Sequence, residues 1–325
     1  MSLWNYWIRL ARMSLHYRRK SFQLPYLPVR LWTELTSHCN YRCPMCPNKD
    51  LSQEDKGFMD LDLYKKIVDE ARGFVFDINL AHRGESLLHP HLVEAIAYAK
   101  ESNLFTRLHT NGSLLSENLS KEIIHSGLDR ISFSFDGYDK KTYEKIRRGG
   151  NFDRTVANIL RFLEIKKEAR AKKPTTNIEV IDFERGDRKG LQEAKDLFLG
   201  RFRDLPLDNI VMKEMHNWAG RIKKGKRGKK YSICPFPWNA LIIYWNGEVL
   251  PCTQDFFGDF IVGDVNKSSL TEIWNGEKMR LLRKKLSQRS IDGLKTCSQC
   301  DRLWREGFLG VPKEYLWKFI TKRMP

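Results

Sequence analysis

The sequence predicts an α/β fold, a partial (β/α)6 TIM-like barrel followed by a small C-terminal module pinned by cysteines. Two observations carry this expectation. From about Val29 to Glu214, short apolar β-rich runs alternate with longer helical patterns, the signature of repeated β-α units and a parallel sheet. The seven cysteines then split into Cys39, Cys43 and Cys46, within eight residues, and Cys234, Cys252, Cys297 and Cys300 far downstream. Six β-α units fall short of the eight of a closed barrel, so an open one is the economical reading.

Residues 1–28 form a lead-in whose first twenty residues read as an amphipathic helix. Asn5, Arg9, Arg12, His16 and Arg19 make a narrow polar stripe, with Trp4, Trp7, Ile8, Leu10, Leu15 and Tyr17 around the rest. Such a helix suits packing on the barrel or contact with a membrane surface. Residues 29–220 are the barrel. Its strands are expected at roughly Val29 to Leu35, Asp77 to Ala81, Phe105 to Thr110, Arg130 to Phe135, Thr176 to Ile181 and Asn209 to Met212. Its clearest helices are Leu61 to Arg72, His91 to Lys100, Glu117 to Ser126 and Phe152 to Ala171, each apolar at helical spacing. Parallel sheets gather chemistry at the carboxyl ends of their strands. The informative residues fall there: the cysteine loop, His82 to Glu85, Asn111, Asp136 and His216.

Residues 221–230 carry seven positive charges in ten and read as a basic linker. Residues 231–325 form the second module. In it Leu241 to Tyr244 and Glu248 to Leu250 flank Trp245-Asn246-Gly247, whose Asn-Gly pair favours a tight hairpin. Ser269 with Glu272 reads as a capping box opening a helix through Trp274, and Lys278 to Ser287 continues helically. The module's own core is thin, and a bound metal cluster would supply the missing stability.

The chain of 325 residues, 41% apolar and 12% aromatic, can bury a substantial core. It has no run of roughly eighteen apolar residues and no signal-peptide pattern, so a cytoplasmic protein is expected, with peripheral membrane contact through residues 1–20 as a further option. The 57 Lys and Arg against 40 Asp and Glu give +17, which raises nucleic acid as a partner. It is not expected, because no stacking aromatics interleave with the basic run. Cytoplasmic cysteines seldom form disulfides, which leaves these seven to metal.

In Cys39-Asn-Tyr-Arg-Cys43-Pro-Met-Cys46 three thiolates share one tight loop and can bind three corners of a 4Fe-4S cube. The fourth iron then keeps the open position that a catalytic metal needs. On spacing alone, a zinc knuckle completed by His38 or a remote ligand is the alternative. The surroundings go further. This C-x3-C-x2-C loop after the first strand resembles the signature of the radical S-adenosylmethionine (radical SAM) superfamily. The likeness extends through Arg83-Gly84-Glu85, Thr110-Asn111-Gly112 and Ser132-Phe-Ser134-Phe-Asp136-Gly137, over about residues 29 to 310. It implies that the open iron chelates S-adenosyl-L-methionine, and that cleavage of this cofactor gives a 5'-deoxyadenosyl radical that takes a hydrogen from substrate. By position, the resemblance puts Glu85 on the methionine amino group, with Asn111 and Ser134 beside the cofactor. Arg83 stands where the family has glycine, and could pair with the cofactor carboxylate, a substrate anion or a neighbouring strand end.

Cys234, Cys252, Cys297 and Cys300 can close a zinc site or a second cube. The text around them, Asn246 to Cys252, Gly263-Asp264-Val265 and Ser269 to Asn275, resembles the SPASM and twitch modules of radical SAM enzymes. Four cysteines fit the single-cluster arrangement, giving two 4Fe-4S clusters in all. The resemblance implies an oxidoreductase acting on a small polyol or amino sugar, with the auxiliary cluster taking the second electron. The alternative is a maturase-type enzyme modifying a peptide or protein side chain. A flavodoxin or ferredoxin would donate electrons, and Glu214 and Asp255 are the candidates for removing a substrate proton.

Overall fold

The β-α alternation becomes a parallel sheet wrapped on one face by helices. The computed structural model describes residues 3–181, 188–213, 215–222, 230–304, 307–308 and 311–312. Glu214 and most of the basic linker lie outside the described residues. Helix α1 (Leu3–Arg18) leads into strand β1 (Arg30–Thr33), α2 (Leu61–Ala71) and β2 (Asp77–Asn79). Next come α3 (Leu92–Glu101), β3 (Phe105–Thr110), α4 (Glu117–His125) and β4 (Arg130–Ser134). Two helices, α5 (Lys140–Ile146) and α6 (Phe152–Glu168), precede β5 (Thr175–Ile181), and α7 (Arg188–Gly200) precedes β6 (Asn209–Lys213). The second module holds α8 (Phe236–Asn239), β7 (Ala240–Ile243), β8 (Glu248–Leu250), β9 (Gly263–Asp264), α9 (Leu270–Trp274), α10 (Glu277–Gln288) and α11 (Lys295–Gln299).

Strands β1 to β6 are parallel and neighbour one another in sequence order. On the helix side the sheet presents Leu31, Ile78, Leu108, Ile131, Phe133, Ile178 and Val180, all buried. Helix α2 meets it with Tyr64, Ile67, Val68 and Ala71, and the Asp60 side chain caps its first turn by accepting from the amides of Asp62 and Leu63. The residues alternating with these face the inside of the partial barrel, and most are polar, among them Asp77, Asn79, Arg107, His109, Ser132, Asn177 and Glu179, with Trp32 and Phe105 beside them. A closed barrel fills this space with branched aliphatic side chains. Here the inner face is instead wired by polar contacts, with Arg30 on Asp77 at 2.6 and 2.7 Å and Asn177 bridging toward Ser132 and Asn209.

The hairpin of the second module continues the barrel sheet. Strand β7 pairs in parallel with β1, from Arg30 against Ala240 to Thr33 against Ile243, and β8 and β9 follow antiparallel. The sequence reading has this hairpin as part of a separate small unit. Its four residues, Ala240 to Ile243, are all buried, as suits a strand covered on both faces inside a larger sheet. The tight turn is present, with Gly247 at φ 93°, and so is the Ser269–Glu272 capping box. Helix α1 packs onto the body of the molecule: Arg9 donates to the carbonyls of Gly73 and Phe74, and Tyr17 lies edge-on against Trp238. Trp7, Ile8 and Leu15 of the same helix remain exposed. Among the described residues no helix is long and apolar enough to cross a membrane.

Trp238 joins the lead-in to the second module. Its ring is fully buried, and its indole N–H donates to the Ser21 carbonyl at 2.8 Å. Trp238→Ala is expected to lower the unfolding free energy by about 3–5 kcal/mol, the usual cost of truncating a buried tryptophan, as measured by urea denaturation.

Candidate active site

The loop carrying Cys39, Cys43 and Cys46 leaves β1 and is tied down on three sides. Toward β2, the amide of Glu85 donates to the His38 carbonyl at 2.8 Å, and the Asn48 side chain donates to the carbonyls of Ser37 and Arg83, both at 2.8 Å. Toward β3, Asn40 donates to Ser113 and accepts from Asn111, each at 2.9 Å. Toward the α5–α6 turn, the Arg42 amide donates to the Arg148 carbonyl, and the Tyr41 hydroxyl lies between Tyr143 and Thr155. Burial pushes the Cys39 thiol up to about 12 and the Cys46 thiol up to about 11, and the neighbouring cysteines add to each rise. Loading such a site with metal must displace thiol protons.

Glu85 is buried beside this loop with its carboxylate held in one orientation. Its Oε1 accepts from the Thr110 hydroxyl at 2.7 Å and the Leu87 amide at 3.1 Å, and its Oε2 accepts from the Asn111 amide at 2.7 Å. Asn111 thus joins Glu85 to the cysteine loop. Ser134 ends β4 half-buried, its hydroxyl without a protein partner among the described residues. One further side chain belongs here that no sequence motif indicates. Arg147, at the end of α5, lies 2.5 Å from Asp136 and within electrostatic reach of the Cys43 thiol, and its Nε has no partner. It follows the cysteine loop by a hundred residues, so local spacing carries no signal of it.

Arg83 is engaged by protein. Its Nε and a terminal nitrogen hold both oxygens of Glu34, at 2.6 and 2.7 Å, and its guanidinium lies 3.4 Å from the centre of the Tyr244 ring. Of the roles open to it from sequence, the salt bridge to a neighbouring strand end is the one seen here. Gly84 follows where the chain passes under the first-strand exit: a Cβ would stand 2.6 Å from the His38 carbonyl oxygen and closer still to that of Thr36. His82 stacks on Tyr244, and burial drives its imidazole down to about 3, so it stays neutral.

The remaining four cysteines gather in the second module. Cys252, partly buried, lies within electrostatic reach of Cys234, Cys297 and Cys300, whose proximity adds to the desolvation that raises its thiol. A cavity of about 80 Å³ is lined by Cys234, Cys252 and Cys297. Four sulfurs in the second module match the all-cysteine ligand set of a 4Fe-4S cube, and the three of the first loop match a cube with one iron left open. Asp255 is held by three donors: its oxygens accept from the amides of Asp259 and Phe260, each at 2.8 Å, and from the Thr296 hydroxyl at 3.0 Å, while burial raises its pKa. A larger cavity, about 240 Å³, lies between Trp218–Arg221 and Gln254–Asp259, and the buried Gln254 Oε1 has no partner.

Sequence comparison matches residues 33–178 to the family model of the radical SAM superfamily and residues 234–301 to that of SPASM, an iron-sulfur cluster-binding domain. The chain belongs to the radical SAM superfamily. Radical SAM enzymes use S-adenosyl-L-methionine and a 4Fe-4S cluster, and the SPASM domain implies further iron-sulfur binding. The chain is 27% identical over 299 residues to the tungsten-containing aldehyde ferredoxin oxidoreductase cofactor-modifying protein of Pyrococcus furiosus, covering 78% of this chain and 82% of that protein. It is 22% identical over 274 residues to the S-adenosyl-L-methionine-dependent 2-deoxy-scyllo-inosamine dehydrogenase of Niallia circulans, covering 83% and 91%. In fold it resembles the crystal structure of BtrN in complex with AdoMet and 2-DOIA, with a TM-score of 0.58 at 19% identity over 84% of this chain and 93% of that one.

Within this radical SAM enzyme, the Glu34–Arg83 pair has no solvent to fall back on, since the side chains are 0% and 4% exposed. Arg83→Gly restores the residue usual for the family and leaves Glu34 as a buried, unpaired carboxylate. Unfolding free energy should drop by about 3–5 kcal/mol, read by urea denaturation, and Arg83→Gly with Glu34→Leu should recover much of it.

Proposed function

We propose that this chain oxidises a carbon–hydrogen bond of a small polar molecule of the polyol or amino sugar type. The observation that carries the reading is its alignment with 91% of a 2-deoxy-scyllo-inosamine dehydrogenase. Two features support it. The inner barrel face is polar, and the 240 Å³ cavity lies below the usual range for drug-sized ligands, which suits a small molecule better than a peptide.

Cys39, Cys43 and Cys46 would hold the catalytic cluster, and Cys234, Cys252, Cys297 and Cys300 the auxiliary one. Bound there, the cofactors supply a carbon radical that removes one hydrogen atom and an acceptor for the electron left behind. Glu85 would receive the ammonium of S-adenosyl-L-methionine. Three donors fix its carboxylate in place, so its remaining lone pairs meet the cation without reorganising. Arg147, whose buried Nε has no partner and which lies near Cys43, would take the cofactor's carboxylate. The Ser134 hydroxyl is open to a further polar group of the cofactor.

The experiment is anaerobic incubation of the reconstituted, reduced protein with S-adenosyl-L-methionine and 2-deoxy-scyllo-inosamine or cell extract, with mass spectrometry for 5'-deoxyadenosine and an accompanying product two hydrogens lighter than its precursor. A modified peptide would favour the maturase alternative instead. Wild-type protein should carry about eight irons, and a Cys297→Ala, Cys300→Ala variant about four. That variant should still cleave S-adenosyl-L-methionine without substrate yet fail to complete turnover. Full product formation by a folded four-iron variant would overturn the electron-acceptor role.

Glu85→Gln tests the cofactor end. An amide cannot accept from all three donors, since one of its two heads donates. Affinity for S-adenosyl-L-methionine should fall by at least about tenfold, the order lost with a charge-assisted hydrogen bond, while iron content is unchanged. Loss of iron would show that Glu85 supports the loop rather than the cofactor.

A further inference from the structure

Oxidation of an alcohol carbon must release a proton as well as a hydrogen atom and an electron, and the carboxylates around the barrel mouth are engaged elsewhere. Glu34 holds Arg83, Glu85 and Asp255 each accept from three donors, and Asp136 pairs with Arg147 and accepts from the Ile181 amide. Glu214 lies outside the described residues. On the inner face, however, three strands bring together a group that no motif marks. His109 of β3 places Nδ1 3.2 Å from Glu179 Oε2 on β5, and Lys213 of β6 pairs with the same oxygen. His109 has no other protein partner among the described residues, which leaves Nε2 without a hydrogen-bond partner there.

The charges here are consistent with one another. Against the desolvation of its carboxyl, His109 and Lys213 hold Glu179 well below the usual carboxylate range, so it is anionic at neutral pH. A carboxylate accepting at Nδ1 fixes the tautomer and leaves the Nε2 lone pair to take a proton. The placement is apt. His109 precedes Thr110, whose hydroxyl binds Glu85, so the imidazole stands one residue from the cofactor end on the opposite face of the strand. Glu179 lies in register with Ser134. The His109 side chain is 29% exposed, sheltered yet reachable.

We propose that His109, oriented by Glu179, is the general base that takes the substrate's hydroxyl proton, so that the substrate is a secondary alcohol oxidised to a ketone at the carbon bearing that hydroxyl. This rests on the oxidation reading above. The step balances: the O–H proton goes to Nε2, the C–H hydrogen atom to the radical supplied by S-adenosyl-L-methionine, and the last electron to the oxidised auxiliary cluster. The carbon–oxygen double bond forms as the C–H and O–H bonds break. Lys213 is engaged by the same Glu179 oxygen, and Arg107, two residues earlier on the same face, is paired with Asp77.

Two measurements test this, and the first needs no substrate. Carbethoxylation of His109 by diethylpyrocarbonate in the folded holoenzyme, followed by peptide mass spectrometry at a fixed pH, should label the imidazole, and Glu179→Gln, which releases Nδ1, should change the labelling rate by at least about threefold. An unreactive His109, or the same rate in both proteins, overturns the dyad. The second uses 2-deoxy-scyllo-inosamine as the probe alcohol. His109→Asn should lower kcat by about 10²- to 10⁴-fold, the range for loss of a general base, and abolish the fall in rate on the acid side. A variant within threefold of wild type with that limb intact overturns the assignment. Wild-type protein inert toward the probe and toward the alcohols of an extract counts against the oxidation reading, and the imidazole labelling still decides the dyad.

Discussion

A carboxylate with no exposed surface sits where the barrel, the cysteine loop and the second module meet. Glu34 follows β1 directly, its amide donates to the Ile243 carbonyl of β7, and its charge is met by Arg83 from the exit of β2. Left unpaired at that depth it would cost several kcal/mol. The pairing therefore dictates where the β2 exit lies, and with it the path through Gly84 to Glu85. Tyr244, at the exit of β7, closes the guanidinium from its open face, a favourable place for a desolvated cation. One ion pair thus sets the relation between the cysteine loop, the residue proposed to hold the cofactor amine, and the strand that begins the auxiliary-cluster module.

Around that point the sheet divides its labour by face. The helix-facing side chains are aliphatic and aromatic, and their burial holds the barrel together. Many of the inner side chains carry charge instead. Asp77, shared by Arg30 and Arg107, lies at the amino end, and Glu179, shared by His109 and Lys213, lies toward the carboxyl end. An open barrel can keep such a face, because the missing strands leave its interior to substrate and cofactor rather than to packing.

Much of this architecture was legible beforehand because it is written in short-range pattern. The six barrel strands lie within a few residues of where alternation placed them, with β1 and β2 shorter because the chain turns early into the site loops. Helix α5 is absent from the clearest predicted helices, since seven residues show too little periodicity. The joining of β7 to β1 was not legible. A buried four-residue run such as Ala240 to Ile243 reads the same whether it edges a small hairpin or continues a large sheet, and only the availability of the β1 edge distinguishes the two.

The sequence by itself determined the two sets of cysteines, the hairpin turn at Asn246-Gly247 and the Ser269–Glu272 cap. Each depends on residues a few positions apart, whose geometry the covalent chain constrains directly. It also named Glu85 and Arg83 as residues of interest, but could not say which would be free. That was decided by tertiary structure, which paired Arg83 with a glutamate 49 positions away, brought Arg147 near Cys43, and set three hydrogen-bond donors on Asp255. The grouping of His109, Glu179 and Lys213 has the same origin. Strand register and barrel curvature bring these three side chains together across more than a hundred residues of chain, and no local spacing in the sequence encodes that distance.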